Sequence, residues 1–109
     1  MTDSDAIARE LIPMVQRIMC SRDPVPLSTA LYQDLGIGGD DAFELLEEIA
    51  ARFGTSFKGL DWPVYFPNES EAMWRHWAKK LGFRQNFKRI TVGHLVAVVE
   101  RGEWFEPSP

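Results

Sequence analysis

Three acids, Asp34, Asp40 and Asp41, stand around Gly36, Gly38 and Gly39, the mixture of carboxylates and glycines from which calcium loops are built. Calcium requires a bidentate carboxylate at the twelfth position of such a loop, and counting from Asp34 that position is Leu45, so the pattern excludes a calcium site. His76 and His94 stand singly, lack metal-ligand spacing and have no neighbouring cysteine. Cys20 is the only cysteine, which rules out a disulfide within the chain and a zinc site of two or more thiolates; it reads as a small buried hydrophobe. No G-x-S-x-G, phosphate-binding loop or H-E-x-x-H is present. The expectation is a protein that is not an enzyme, with no metal and no cofactor.

Two stretches are rich enough in charge to bind something. Asp40, Asp41, Glu44, Glu47 and Glu48 concentrate negative charge on one predicted helix, where they suit a partner protein with a basic surface. The plainer reading is a solvated face whose first turn is acidic because the helix dipole favours it. From Trp74 to Arg84 aromatics alternate with bases, as in single-strand nucleic-acid sites, and the basic run extends to Arg89. Here the helical spacing of Trp74, Trp77 and Leu81 favours a core stripe, and the overall net charge of −4 disfavours nucleic acid. That total conceals an asymmetry: residues 1–50 carry ten acids against three bases, whereas residues 51–109 carry nine bases against six acids. A chain so polarised can also attract a second copy of itself.

The elements that position these residues follow from periodicity and punctuation. Ile7, Leu11, Met14, Val15 and Ile18 fall at helical spacing, predicting a helix over 6–19 capped by Asp3 or Ser4, with Pro13 forcing a kink near Glu10 or a restart there. Pro24 and Pro26 make a connection, after which Leu27 to Tyr32 form a short turn with Leu31 and Leu35 pointing inward. A second helix begins at Asp40 or Asp41, where Asp41 and Glu44 have capping-box spacing. Its apolar face is Ala42, Leu45, Leu46, Ile49, Ala50 and Phe53, and Gly54 stops it. Residues 57–66 read as an ordered loop anchored by Phe57, Trp62, Tyr65 and Phe66. A helix over 71–81, capped by Asn68 or Ser70, places Met73, Trp74, Trp77 and Leu81 on one face and ends at Gly82. The last helix runs from Val92 to Arg101 between Thr91 and Gly102, with Val92, Leu95, Val96 and Val99 inward. Residues 103–109 form a tail that Trp104 or Phe105 pins to the body.

This order of a long helix, a connection ending in Asp34-Leu35-Gly36, an acidic helix and a final helix opened by Thr91-Val92 resembles the acyl carrier protein family. Leu31, Glu44, Leu45, Phe53, Gly54, Leu95 and Val96 also fit that pattern, and about half the residues are covered. In carriers a serine at the start of the second helix bears the phosphopantetheine arm. Aligned on Asp34-Leu35-Gly36 that position is Gly39, which has no hydroxyl, and the nearest serines are Ser28 and Ser56. The segment from Asp61 to Arg89 is longer than the short third helix of carriers and holds three of the four tryptophans. The chain is also similar to a group of small uncharacterised bacterial proteins with a G-D-D sequence in place of the serine motif, here Gly39-Asp40-Asp41, and a T-V-G-x-L-V…R-G-x-W ending, here Thr91 to Val96 and Arg101 to Trp104.

The resemblance implies a mostly α fold: an acyl-carrier-protein-like helical bundle with an enlarged aromatic and basic segment between the second and last main helices. A chain of 109 residues suits one domain, 1–109, with 103–109 as a short tail. The apolar run Leu95 to Val99 falls far short of the roughly 20 residues a membrane span needs, and the acidic start has no signal-peptide character, so a cytoplasmic location is expected. In carriers the acidic second helix docks on basic patches of partner enzymes. By that resemblance Asp40, Asp41, Glu44, Glu47 and Glu48 are the candidate recognition face of a non-catalytic, carrier-like interaction or regulatory module that holds no phosphopantetheine. The alternative is a helical nucleic-acid-binding protein using Arg75 to Arg89.

Overall fold

A computed structural model describes residues 3–66 and 87–107. The predicted helix over 71–81, its caps Asn68 and Ser70, its face and its terminator Gly82 lie outside the described residues. Within them the chain is mostly helical: α1 (Asp3–Met19), α2 (Gly39–Phe53), α3 (Trp62–Tyr65) and α4 (Val92–Arg101). No strand is formed among the described residues, only isolated bridges, Ala30 with Thr91 and Ser56 with Glu103. α1 lies against both α4 and α2.

The core is assembled from one stripe of each long helix. Leu11, Met14 and Val15 of α1 meet Ala42, Leu45, Leu46 and Ile49 of α2 and Val92, Leu95, Val96, Val98 and Val99 of α4. Leu31, Ile37, Tyr65, Phe66, Ile90 and Trp104 close the same cluster from the connections. Such burial is the main driving force of folding, worth roughly 1.5–3 kcal/mol for each large apolar side chain removed from water.

α1 begins at Asp3, three residues before the predicted 6–19 span, and runs unbroken past Glu10 and Pro13 instead of restarting there. Pro13 is exposed, as is Arg9, whose carbonyl loses its helical partner; on that side water can serve the carbonyl, so the lost bond does not divide the helix. Ser4 is not a cap: its hydroxyl donates to the Glu100 carboxylate at 3.1 Å, tying α1 to α4. At the other end Cys20 adopts a left-handed φ of 54°, and the N–H groups of Cys20 and Ser21 donate to the carbonyls of Arg17 and Gln16. Cys20 is therefore exposed, not a buried hydrophobe, because it turns the chain away at the helix terminus.

The connection from α1 to α2 is held to the start of α4 by backbone bonds. Leu31 N–H donates to Ile90 O at 2.9 Å, Val92 N–H to Thr29 O at 2.9 Å and Gly93 N–H to Leu27 O at 2.8 Å. Gly93 permits this approach: a Cβ there would stand 3.1 Å from Leu27 O. Leu31 is fully buried and Leu35 half-buried against the core, both inward as their spacing suggests. Residues 57–66 are not wholly irregular, since Trp62–Tyr65 close a short helix with Pro63 in its first turn, where a missing N–H costs nothing.

α4 matches its predicted bounds. The Thr91 hydroxyl accepts from His94 N–H at 3.0 Å, and Gly102 ends the helix by donating to Val98 O at 2.8 Å. Thr91→Ala is expected to lower the unfolding free energy by about 1 kcal/mol, and Thr91→Ser to retain most of it, because serine keeps the accepting oxygen. Urea unfolding of the two variants beside the parent chain measures the difference.

Candidate functional site

α2 presents the predicted acidic residues, and its start explains their arrangement. The helix opens at Gly39 with Gly38 as an extended cap (φ −155°, ψ 178°) and no side-chain capping bond. The predicted start at Asp40 or Asp41 is thus corrected, and Asp41 with Glu44 forms no capping box. Both aspartates already lie inside the first turn, where their charge favours the positive end of the helix dipole. Gly39, at the position of the carrier serine, is buried and has a φ of 55°, a left-handed conformation that residues with a Cβ adopt at a cost of about 1–2 kcal/mol. The backbone here is adapted to glycine and would be strained by a serine.

Asp34 of the D-L-G motif serves the loop before α2. Its carboxylate accepts from Ala30 N–H at 2.8 Å and from Arg89 Nη2 at 3.2 Å, closing the turn that carries Leu31 and Leu35. Arg89, the end of the predicted basic run, is thereby engaged within the molecule. The Lys88 N–H donates to Val64 O at 3.0 Å. The stretch Trp74 to Arg84 lies outside the described residues.

The five acids divide into two groups. Asp40, Asp41, Glu44 and Glu47 are exposed along α2. Glu48 is half-buried and turned toward α1, where it accepts from Arg17 Nη1 at 2.5 Å. One turn on, Arg52 pairs with Glu10 of α1 in the same way. Glu48 therefore belongs to the α1–α2 seam and not to the open acidic face as expected. Such pairs between exposed side chains contribute little to stability, but they mark which side of α2 is covered.

The opposite flank of α2 was not anticipated. Phe43 is 58% exposed. Its ring meets Trp62 of α3 edge-on, with centroids 6.3 Å apart. Helical spacing carried the signal: Phe43 follows Asp40 by three residues and precedes Glu47 by four, so it shares the acidic face and not the core stripe.

A second cluster gathers where the C-terminal residues cross α4. The Ser56 N–H donates to Gly102 O at 3.1 Å and the Trp104 N–H to Ser56 O at 2.7 Å, which pins residues 103–107 down through buried Trp104. His94 shares a 2.8 Å hydrogen bond between Nε2 and the Phe105 carbonyl, and its ring stands edge-on to both Trp104 and Phe105. Since a carbonyl only accepts, Nε2 carries the proton. The buried Tyr65 hydroxyl donates to Glu106, whose other oxygen accepts from Trp104 Nε1 at 3.4 Å. Burial, reinforced by the Glu106 carboxylate, raises the Tyr65 pKa far above the usual phenol range, and the Tyr65 bond holds the Glu106 carboxyl below its own. Burial also lowers the His94 pKa, outweighing the Phe105 carbonyl and the Glu106 charge, which act the other way. A tyrosine that resists ionisation and a histidine whose protonation is disfavoured suit a structural latch.

Among the described residues no three His, Cys, Asp or Glu side chains gather where a metal ion could be held. No helix among them is long and apolar enough to cross a membrane.

A mostly helical protein with an exposed acidic helix face is the class these features define. Residues 5–106 match the family described as Protein of unknown function (DUF1493), and the chain belongs to that family. No curated protein and no solved structure matches it.

His94 gives this part of the fold a pH dependence. Its folded pKa lies below the ordinary value of about 6.5, so its contribution to stability is complete above about pH 6.5 and is lost as the pH falls from there through the lowered value. His94→Gln should flatten the decline in unfolding free energy between about pH 7 and pH 5 seen by urea titration of the parent chain. An unchanged slope would contradict this.

Proposed function

We propose that the chain is a carrier-like interaction or regulatory module that acts by binding a partner protein through α2, without catalysis and without phosphopantetheine. The observation that carries this reading is the outward face of α2, where Asp40, Glu44 and Glu47 lie exposed beside the exposed ring of Phe43, with Asp41 exposed in the first turn. That face rides on a helix fixed from behind by Ala42, Leu45, Leu46 and Ile49, so the backbone that carries its charges is in place before any partner arrives. A row of exposed carboxylates adds little affinity charge by charge but steers encounter with a basic surface, and it makes association sensitive to salt. Glycine at position 39 supports the absence of the prosthetic group, because the position lacks a hydroxyl and its backbone is set in a glycine conformation.

The test is affinity capture from the native host with the tagged chain, comparing the parent with a Glu44→Lys, Glu47→Lys double variant at rising salt. Glu48 is left intact because it pairs with Arg17. The reading predicts that a captured protein is lost with the double variant and at high salt, while the helical circular-dichroism signal is unchanged. Capture that survives both changes removes the recognition face.

A further inference from the structure

This inference deepens the interaction reading and rests on it: it concerns what the partner must look like. Along the flank of α2 that faces α3 runs an open groove of about 300 Å³, walled by Phe43, Leu46, Ala50, Phe57, Leu60 and Trp62, with Glu47 at its edge. Phe57, Leu60 and Trp62 are half-buried against the core. Trp62 is backed in turn by the buried Phe66, the ring centroids lying 4.7 Å apart. A single exposed apolar side chain is ordinary on any surface. A contiguous apolar trough with a floor packed on the core and an exposed phenyl ring as its lip is the form of a docking site.

The surroundings of the trough decide the charge of its occupant. Glu47 lines it and Glu44 stands on the same outward side of α2, while exposed Asp61 precedes Trp62 in sequence. Lys58, exposed and next to Phe57 in sequence, carries the opposite charge. Among the described residues the groove's only charged lining is Glu47, which favours a cationic partner. The backbone decides its conformation. The described residues offer isolated bridges and no strand edge to which an extended peptide could add. The wall made by Phe43, Leu46 and Ala50 rises through successive turns of α2, a spacing that receives side chains from successive turns of another helix.

We propose that this groove receives the apolar face of a basic amphipathic helix from a partner protein. Two apolar side chains of that helix, one turn apart, seat in the trough over Leu46, Ala50 and Leu60, against the touching rings of Phe43 and Trp62, and flanking lysines or arginines meet the acids of α2. The buried apolar anchors then set the lifetime of the complex, and the acids set its rate of formation.

Selection of random phage-displayed peptides, long enough for about four helical turns, tests this against the full-length chain. Parallel selections use Phe43→Ala and the Glu44→Lys, Glu47→Lys variant; Phe43 is exposed, and circular dichroism verifies that each variant is folded. The expected result is a family of peptides with two apolar residues one helical turn apart among Lys or Arg, depleted about tenfold or more by either variant. No enriched family, or one that is acidic or proline-rich, overturns the proposal. Basic peptides lost on acid reversal but retained by Phe43→Ala overturn the groove and leave the acidic-face reading standing, whereas peptides insensitive to both variants overturn the two together. A dimer of the parent chain in sedimentation equilibrium that Phe43→Ala converts to monomer would replace the partner helix with a second copy.

Discussion

The backbone clip between residues 27–31 and residues 90–93 is the constraint on which the rest of the molecule depends. Buried amides must find partners or forfeit their hydration, and here Leu31, Val92 and Gly93 find theirs across a gap of some sixty residues in sequence. The clip fixes where the loop before α2 can run. Ile37 N–H then bonds back to Leu31 O at 2.9 Å, and the Asp34 carboxylate closes the intervening turn through Ala30 and Arg89. With Gly39 supplying the left-handed step, α2 leaves this loop in one direction and lays its apolar stripe on α1 and the remainder of the core.

Given that placement, α2 carries three different surfaces around its axis. Ala42, Leu45, Leu46 and Ile49 are buried; Glu48 and Arg52 face α1 and pair with Arg17 and Glu10; Phe43 and Ala50 line the groove toward α3. Exposed Asp40, Glu44 and Glu47 occupy what remains, between the seam and the groove. A charged stripe bordered by apolar surface combines steering at long range with burial on contact, the division of labour common in protein interfaces. The opposite end of the molecule is specialised differently. Tyr65 and Trp104 both donate to Glu106, His94 bonds to the Phe105 carbonyl, and together they hold the C-terminal residues against α4.

Much of this was legible in the sequence where a side chain or a glycine acts locally. Thr91 and Gly102 mark α4 at both ends because a hydroxyl cap and a glycine stop each leave a residue-level signature. The start of α2 was less legible, since Gly38 caps it with backbone geometry alone while the spacing of Asp41 and Glu44 offered a more familiar cap that does not form. Long-range pairings were beyond a reading by periodicity. Nothing in the local pattern separates Glu48 from Glu47, yet one faces Arg17, 31 residues away, and the other lines the groove. Cys20 was misplaced for a similar reason: hydrophobic character suggests burial, but the end of α1 required a residue in a left-handed turn. Of the candidate site, the acids of α2 were singled out by the resemblance to carriers and their place on one predicted helix, while Phe43 and Trp62 were assigned to no site because their juxtaposition joins two elements.

On the function proposed above, α2 is a carrier-like helix that binds a partner and the chain holds no phosphopantetheine, position 39 being a glycine. The most direct measurement is the intact mass of the protein isolated from its own host, beside the same protein incubated with coenzyme A and a promiscuous phosphopantetheinyl transferase. Both masses are predicted to equal that of the unmodified chain. A phosphopantetheine adduct in either sample would place a carrier serine elsewhere in the sequence and contradict the account.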